Sequence, residues 1–133
     1  MFTVFFSGGS GSLKLTDDND PLNSDIKILA QPPGKRNNSL KMLSAGEKSL
    51  TAIALLFSIY QYKPSPFCIL DEIDAPLDDI NIKKFTDVIK EYSKSTQFIM
   101  VTHNKLTMES ADCIYGVTAE KKGISKLMSI DFS

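Results

Sequence analysis

The sequence predicts an α/β fold in which a mostly parallel sheet is flanked by helices and preceded by an antiparallel β piece. Two observations support this prediction. From residue 44 to residue 117, short apolar runs typical of buried strands alternate with longer stretches whose apolar residues recur at helical spacing. Ahead of them, residues 13–16 and 25–30 alternate apolar and polar side chains around a polar cluster, which is the pattern of a β-hairpin.

The segments around this hairpin are less regular. Residues 1–6 are strongly apolar and fit either a short strand or the last turn of an element that begins earlier. The Gly-rich residues 7–12 predict a turn or loop, and residues 31–39 predict an irregular basic loop. We expect Lys35 and Arg36 of that second loop to be solvated, with contact to DNA or phosphate as the alternative.

The α/β part begins with a helix that starts at Ser44 and ends at a Pro-rich stretch near residue 64. Residues 67–70 and 98–101 are continuous apolar runs, typical of strands covered on both faces in a parallel sheet. The remaining predicted elements are helices over residues 82–92 and 106–111, strands over 113–117 and 124–130, and a turn over 121–123.

Composition limits the class of protein. A chain of 133 residues fits one domain, and 42% hydrophobic with 23% charged residues is ordinary for a soluble globular protein. The net charge of −1 gives no general attraction to nucleic acid, so DNA contact would need a local patch. We find neither an apolar run long enough for a membrane span nor a secretory signal, and we expect the two cysteines to be buried and reduced, as in a cytosolic protein.

The start of the first helix is a candidate anion site. Ser44 and Glu47 have the spacing of a capping box, in which each side chain satisfies a free backbone N–H of the first turn. The small residues Ala45 and Gly46 would let an anion approach those N–H groups, and the helix N-terminus adds a partial positive charge. The pattern is compatible with a simple cap and also with binding of a γ-phosphate.

Two acidic residues follow the first buried strand. Asp71 and Glu72 would emerge at the carboxyl end of that strand, where open α/β sheets bind ligands. An aspartate there can hold Mg²⁺ and a glutamate beside it can polarise an attacking water, although the pair could also cap the next turn. Farther along, Asp78 or Asp79 could cap the helix that begins near residue 80.

His103, the only histidine, follows the second buried strand. If the two strands are parallel neighbours, it emerges at the same sheet edge as Asp71 and Glu72, where its imidazole could contact a γ-phosphate. The phosphate loop itself is missing: no Gly-x-x-x-x-Gly-Lys-Ser/Thr occurs in the 133 residues, and the glycines of residues 8–11 lack the following lysine.

Taken together, these residues resemble the ATP-binding-cassette heads of structural maintenance of chromosomes (SMC) proteins, most closely the bacterial chromosome-partition type. Residues 43–48 are similar to the family's signature motif, with Ala45 where glycine is commonest. Residues 69–79 resemble its Walker B strand and D-loop, and residues 98–105 its switch-histidine strand. The likeness covers nearly the whole chain. It implies that residues 1–133 are the C-terminal lobe of such a head, the C-terminal half of an ABC-type P-loop NTPase fold.

The resemblance also implies roles for single residues. Asp71 would help bind Mg²⁺, Glu72 would activate water on the ATP of its own head, and His103 would contact the γ-phosphate of the same ATP. The signature residues would bind ATP in trans, on a second head, and the D-loop aspartates would line the head–head contact. The trans residues are Ser44, Ala45, Gly46 and Glu47, and the D-loop residues are Asp74 and Asp78.

At the level of the whole protein, the resemblance implies ATP hydrolysis that drives chromosome condensation and segregation in the cytoplasm, at the nucleoid. The implied partners are the N-terminal lobe of the same head, a second head, DNA through the assembled complex, and a kleisin-type subunit docked around residues 123–133. No membrane is implied. Because the N-terminal lobe, coiled coils and hinge lie outside this sequence, we expect it to be a fragment that is inactive alone.

Two alternatives remain. The chain could be the head lobe of a recombination-repair ATPase of the same superfamily, which would differ in its arm and partners. It could instead be a truncated, non-catalytic lobe that serves as a partner-binding module. Keeping Asp71, Glu72 and His103 together argues against long-standing loss of catalysis, because a pure binding module has no physical need for all three.

Overall fold

The structure, a computed structural model, describes residues 1–36, 39–121 and 123–132. Its strands pair as an antiparallel β1–β2 hairpin, a parallel β3–β4 pair and an antiparallel β5–β6 hairpin. In chain order the elements are α1 Phe2–Phe6, β1 Ser10–Leu15, β2 Ile26–Gln31, a 3₁₀ turn Leu40–Met42, α2 Ala45–Tyr62, β3 Phe67–Asp71, α3 Asp79–Tyr92, β4 Gln97–Val101, α4 Lys105–Glu109, β5 Cys113–Lys121 and β6 Ile124–Asp131.

The predicted N-terminal hairpin is confirmed, although β1 begins within the Gly-rich segment at Ser10. The apolar residues before it form the helix α1 rather than a strand, and Ser7 ends that helix in a left-handed conformation with φ 55°. Gly9 then turns the chain into β1 with φ +75°. Only glycine fits there, because a Cβ would collide with the carbonyl oxygen of Gln31 on β2.

The pairing of β3 with β4 is parallel, as the two apolar runs predict, with Ile69 opposite Ile99 and Asp71 opposite Val101. The sequence predicts strands covered on both faces, and the described residues cover one face of this pair. Helices α2 and α3 pack with the face that carries Leu70, whereas Ile69, 62% exposed, lies on a face that nothing in the described ranges covers. The predicted mostly parallel sheet is likewise limited to this one parallel pair among the described strands.

One aromatic ring joins the helices to the sheet. Phe57 of α2 is 2% exposed, and its ring centroid lies 5.6–6.5 Å from five other rings. These rings belong to α1, α2, α3 and β4, so four elements meet at this side chain. The five residues are Phe5, Tyr60, Phe85, Tyr92 and Phe98.

The chain ends in a long hairpin. Both predicted strands are confirmed, and β5 extends farther than expected, to Lys121. Many of its apolar side chains, such as Tyr115, Leu127 and Ile130, are exposed. Two predicted positions, Lys122 in the turn and Ser133 at the end of the expected kleisin surface, lie outside the described residues.

Both cysteines, Cys68 and Cys113, are free thiols, as expected, but they are only partly buried. Within the described ranges, the longest helix, α2, is too short in continuous apolar sequence to cross a membrane, and the others fall further short.

The aromatic cluster predicts a sharp contrast between two residues of one helix. Phe57→Ala should lower the free energy of unfolding by about 3–5 kcal/mol, because it removes a ring that several elements share. Ile59→Ala, at a position on the same helix that is mostly exposed, should change it by no more than about 0.5 kcal/mol.

Urea unfolding followed by circular dichroism measures both variants, with Phe57→Leu as a milder change if the alanine variant does not fold. Equal losses for Phe57→Ala and Ile59→Ala would contradict the central place given to Phe57.

Candidate functional site

The end of β3 and the start of the next loop place the predicted carboxylates. Asp71 is the last residue of the strand, and its side chain is exposed. Glu72 follows with φ 47°, a left-handed backbone that a residue with a Cβ adopts at a cost of roughly 1–2 kcal/mol. Its backbone N–H donates to the carbonyl of Val101 at 2.8 Å, which continues the β3–β4 ladder by one bond. Strained residues of this kind cluster at functional sites.

The prediction that His103 emerges at the same sheet edge as Asp71 and Glu72 is confirmed. Nδ1 of His103 lies 3.5 Å from Oε1 of Glu72, and the two side chains are 73% and 60% exposed. They meet because parallel pairing brings the carboxyl ends of β3 and β4 to one edge. An acceptor that can take a proton therefore stands beside an imidazole in open solvent. The catalytic roles of both residues remain predictions.

The carboxylate of Asp74 is buried, unlike that of Asp78. Asp74 is 2% exposed, and its Oδ2 accepts hydrogen bonds from Oγ1 of Thr102 at 2.6 Å and from Oγ1 of Thr107 at 2.5 Å. Its contact with a second head stays a prediction, and within this chain its carboxylate is held by the two threonines. Sequence reasoning missed the network because its members are 28 and 33 residues apart.

Asp78 has the alternative role that the sequence left open. Its Oδ1 accepts a hydrogen bond from the backbone N–H of Asn81 at 2.9 Å, so it is the N-cap of α3. Unlike Asp74, it is exposed, and so it remains available to a second molecule.

The predicted capping box at the start of α2 is confirmed. Oγ of Ser44 accepts from the backbone N–H of Glu47 at 3.3 Å, and Oε2 of Glu47 accepts from the backbone N–H of Ser44 at 2.8 Å. Ala45 and Gly46 lie between them in the first turn. A Cβ at Gly46 would meet the Pro76 carbonyl oxygen at an ordinary 3.7 Å, so packing within the chain does not require glycine there.

Lys35 is the residue whose role the sequence analysis misjudged. Its side chain is 39% exposed, but its Nζ lies 2.7 Å from Oε2 of Glu47, the oxygen that also caps the helix. The hydrogen bond from Lys35, followed by that from the backbone of Ser44, lowers the pKa of Glu47 below its ordinary value. The pair joins residues 12 apart across an irregular loop, where no spacing rule would have indicated it.

The Glu72–His103 pair and the capping box at the start of α2 are separate clusters. Within the described ranges, no hydrogen bond or ion pair joins Glu72 and His103 to the start of α2, and the same ranges contain no cluster of three acidic, histidine or cysteine ligands for a metal. Mg²⁺ at phosphates is usually held by one or two carboxylates, with phosphate oxygens and water completing the shell. A single carboxylate such as Asp71 fits that arrangement.

Comparisons with known proteins give a consistent result. Residues 8–126 match the family model described as the RecF/RecN/SMC N terminal domain. The chain is 53% identical over 130 residues to the chromosome partition protein Smc of Bacillus subtilis (strain 168), and 51% identical over 131 residues to the Smc of Coxiella burnetii. In both cases 98% of this chain is covered, and it spans 11% of the relative's length.

Solved structures agree. A structure of the SmcHead bound to the C-winged helix domain of ScpA matches with a TM-score of 0.86 at 44% identity, covering 98% of this chain and 40% of that chain. A structure from work on ATP-driven dimerization and DNA stimulated activation of SMC ATPases matches with a TM-score of 0.83 at 42% identity, covering 98% and 80%.

The lowered pKa of Glu47 predicts a pH dependence of stability. A carboxylate with a lowered folded-state pKa stabilises the fold above its ordinary value of 4.5, and this stabilisation is lost as the pH falls through the folded-state pKa. Near neutral pH, Glu47→Gln should therefore be less stable than the unchanged chain, and the difference should shrink in acid.

Urea unfolding over a series of pH values measures this difference. Lys35→Met should remove only part of this acid-sensitive stabilisation, because the hydrogen bond from the backbone of Ser44 to Glu47 remains. Glu91→Gln removes a carboxylate paired with Lys94 on the exposed face of α3 and serves as the control. A gap between the unchanged chain and Glu47→Gln that stays constant into acid would contradict the assignment.

Proposed function

The chain belongs to the RecF/RecN/SMC family, and from that membership we propose that residues 1–133 are the C-terminal lobe of an ATP-hydrolysing head of the bacterial chromosome-partition type. The observation that carries the proposal is the meeting of Glu72 and His103, 3.5 Å apart, at the carboxyl edge of a parallel strand pair. The missing phosphate-loop motif in the 133 residues supports a division of the site, with the phosphate-gripping half on another lobe.

On this proposal the carboxyl edge is the hydrolytic half-site. Asp71 would hold Mg²⁺ together with the ATP phosphates, and the ion would neutralise developing negative charge. Glu72 orients the attacking water and accepts its proton as the oxygen bonds to the γ-phosphorus and ADP leaves. His103 donates a hydrogen bond to the γ-phosphate. The exposure of both side chains suits this role, because a phosphate and a water must reach the space between them.

The start of α2 would act on a second ATP, held by a second head. Ser44 and the first-turn N–H groups of Ala45 and Gly46 lie at an exposed helix N-terminus, which is a favourable place for an anion to bind. Glu47 completes the cap. The absence of hydrogen bonds between this group and Glu72 in the described ranges supports action in trans. Asp78, exposed at the start of α3, is the D-loop residue that we propose lines the head–head contact.

The open face of the β3–β4 pair is the proposed seat of the N-terminal lobe. Phe67, Ile69, Ile99 and Val101 are all exposed there, and a contiguous exposed apolar patch marks an interaction site. Asp71 lies on the same face by strand alternation. A phosphate-loop lobe docked here would therefore cover the apolar residues and bring the phosphates of its bound ATP close to Asp71.

The wider proposal follows the relatives. A related head binds the C-winged helix domain of ScpA, and we propose that this lobe binds a kleisin-type subunit through β6 around residues 123–133, where exposed apolar residues such as Ile124, Leu127 and Ile130 lie. The assembled protein would act on DNA in chromosome condensation and partition, in the cytoplasm at the nucleoid.

The proposed base predicts a specific defect. We expect the chain to hydrolyse ATP when it is mixed with a separately expressed complementary N-terminal lobe. Glu72→Gln should lower kcat by about 10²–10⁴-fold, because the amide cannot accept the proton of the attacking water. The same variant should accumulate the ATP-bound dimer, since binding does not need that proton transfer.

Phosphate release and size-exclusion chromatography with ATP measure the two effects, and Glu91→Gln, an exposed glutamate on α3, is the matched control. Turnover by the Glu72→Gln mixture at the unchanged rate would refute the role of Glu72. Silence of the unchanged mixture, with the lobes shown to associate, would indicate a non-catalytic binding module.

The open face predicts where the two lobes join. Ile69→Asp or Ile99→Asp should weaken association with the N-terminal lobe at least tenfold, because each places an unpaired charge in an apolar contact. Leu22→Asp, the same kind of change at a more exposed apolar residue in the β1–β2 loop, should leave it unchanged.

Titration of the complementary lobe by calorimetry gives the three affinities, and circular dichroism checks that each variant is folded. If folded Ile69→Asp and Ile99→Asp bind as tightly as Leu22→Asp, the N-terminal lobe sits elsewhere.

A further inference from the structure

We propose that Asp74 is a positioning residue that fixes His103 relative to Glu72 through the hydroxyl groups of Thr102 and Thr107. The inference rests on the proposed function, because it matters for catalysis only if Glu72 and His103 act on ATP. It assigns to Asp74 a role inside the head.

The contacts join the two loops directly. Asp74 is two residues beyond Glu72, on the loop that leaves β3, and its Oδ2 accepts hydrogen bonds from both threonines. Thr102 immediately precedes His103 on the segment that leaves β4. One carboxylate oxygen thus ties the loop that carries the base to the segment that carries the histidine.

The segment around His103 is held on both sides. Oγ1 of Thr102 also accepts a hydrogen bond from the backbone N–H of Asn104 at 3.0 Å. Oδ1 of Asn104 caps α4 by accepting from the N–H groups of Leu106 and Thr107 at 2.9 and 3.4 Å. His103 therefore lies in a short connecting segment whose flanking residues are anchored, directly or through α4, to Asp74.

The energetics favour a positional role. Burying a carboxylate is costly unless it is well hydrogen-bonded, and an apolar side chain of similar size is often the more stable choice. No ion pair of the described residues involves Asp74, so its desolvation is offset by hydroxyl donors rather than by a cation. What such a buried network supplies, in place of stability, is one defined arrangement of the loops that it joins.

The rest of the site needs that arrangement. The side chains of Glu72 and His103 are largely exposed, so packing does not fix their 3.5 Å separation. Glu72 is also held in a left-handed backbone conformation, which persists only where surrounding contacts over-determine it. The hydrogen bonds from Thr102 and Thr107 to Asp74 supply those contacts, together with the hydrogen bond from the Ala75 N–H to the Glu72 carbonyl at 3.2 Å.

Thr107 provides the cleanest test, because it is buried on α4 and lies five residues after Thr102 and four after His103. Thr107→Val keeps the shape of the side chain and removes the hydroxyl, whereas Thr107→Ser keeps the hydroxyl and removes the methyl. In the mixture with the complementary lobe, we expect Thr107→Val to lower ATPase kcat roughly tenfold or more with KM unchanged, because misplacement of catalytic groups acts on the chemical step. Thr107→Ser should stay within about twofold.

Thr86→Val is the matched control, since Thr86 is also buried but its hydroxyl donates within α3, to the carbonyl of Lys83. A role in packing alone would give the reverse order, with the serine variant worse than the valine. If Thr107→Val does not fold, Asp74→Asn replaces it. The asparagine retains an oxygen acceptor without the charge, and its kcat should fall below that of the unchanged chain with KM unchanged.

A second readout does not depend on hydrolysis. His103 is the only histidine, so the imidazole C–H signals in an NMR spectrum of the chain belong to one residue. We expect Thr107→Val and Asp74→Asn to shift or broaden those signals, and Thr107→Ser and Thr86→Val to leave them in place.

The two proposals fail differently. An unchanged chain that never hydrolyses ATP with its complementary lobe would overturn the proposed function, and the NMR spectra would still decide whether Asp74 positions His103. An active mixture in which folded Thr107→Val and Asp74→Asn keep the full kcat, with unmoved His103 signals, would overturn the positioning role.

Discussion

The parallel register between β3 and β4 is the constraint on which the rest of the structure depends. With Asp71 opposite Val101, the residues after both strands leave the sheet at the same edge, and Glu72 and His103 become neighbours. A slip of one residue would turn the apolar set of a strand to the opposite face, because strand side chains alternate. Burial of the apolar side chains thus favours the same register that brings the site residues together. The geometry of the candidate site is therefore a consequence of how the two strands pair.

Phe57 stabilises that register from the covered face of the strand pair. Its ring touches residues of three helices and of β4, so the helical layer and the sheet cannot shift independently without losing close-packed aromatic contacts. The core and the site therefore fix different parts of the structure. The core fixes where the strands lie, and short polar contacts such as those around Asp74 fix how the loops leave them.

Local patterns were predictable from the sequence, and distant pairings were not. The capping box of Ser44 and Glu47 is encoded within four residues, and the meeting of Glu72 with His103 follows from one assumption about strand direction. By contrast, the pairing of Lys35 with Glu47 and the burial of Asp74 depend on loop paths that no periodicity describes. The exposed face of the sheet reflects the same limit, because apolar sequence indicates that a surface is to be covered but not which part of a protein covers it.

That open face has a consequence for the life of the polypeptide before assembly. A two-stranded sheet with an apolar face and unpaired outer edges is a template on which another such sheet can stack or add a strand. A surface that covers this face, whether it belongs to the same polypeptide or to another, is therefore a condition of solubility. While the face is uncovered, sheet-to-sheet association competes with correct assembly.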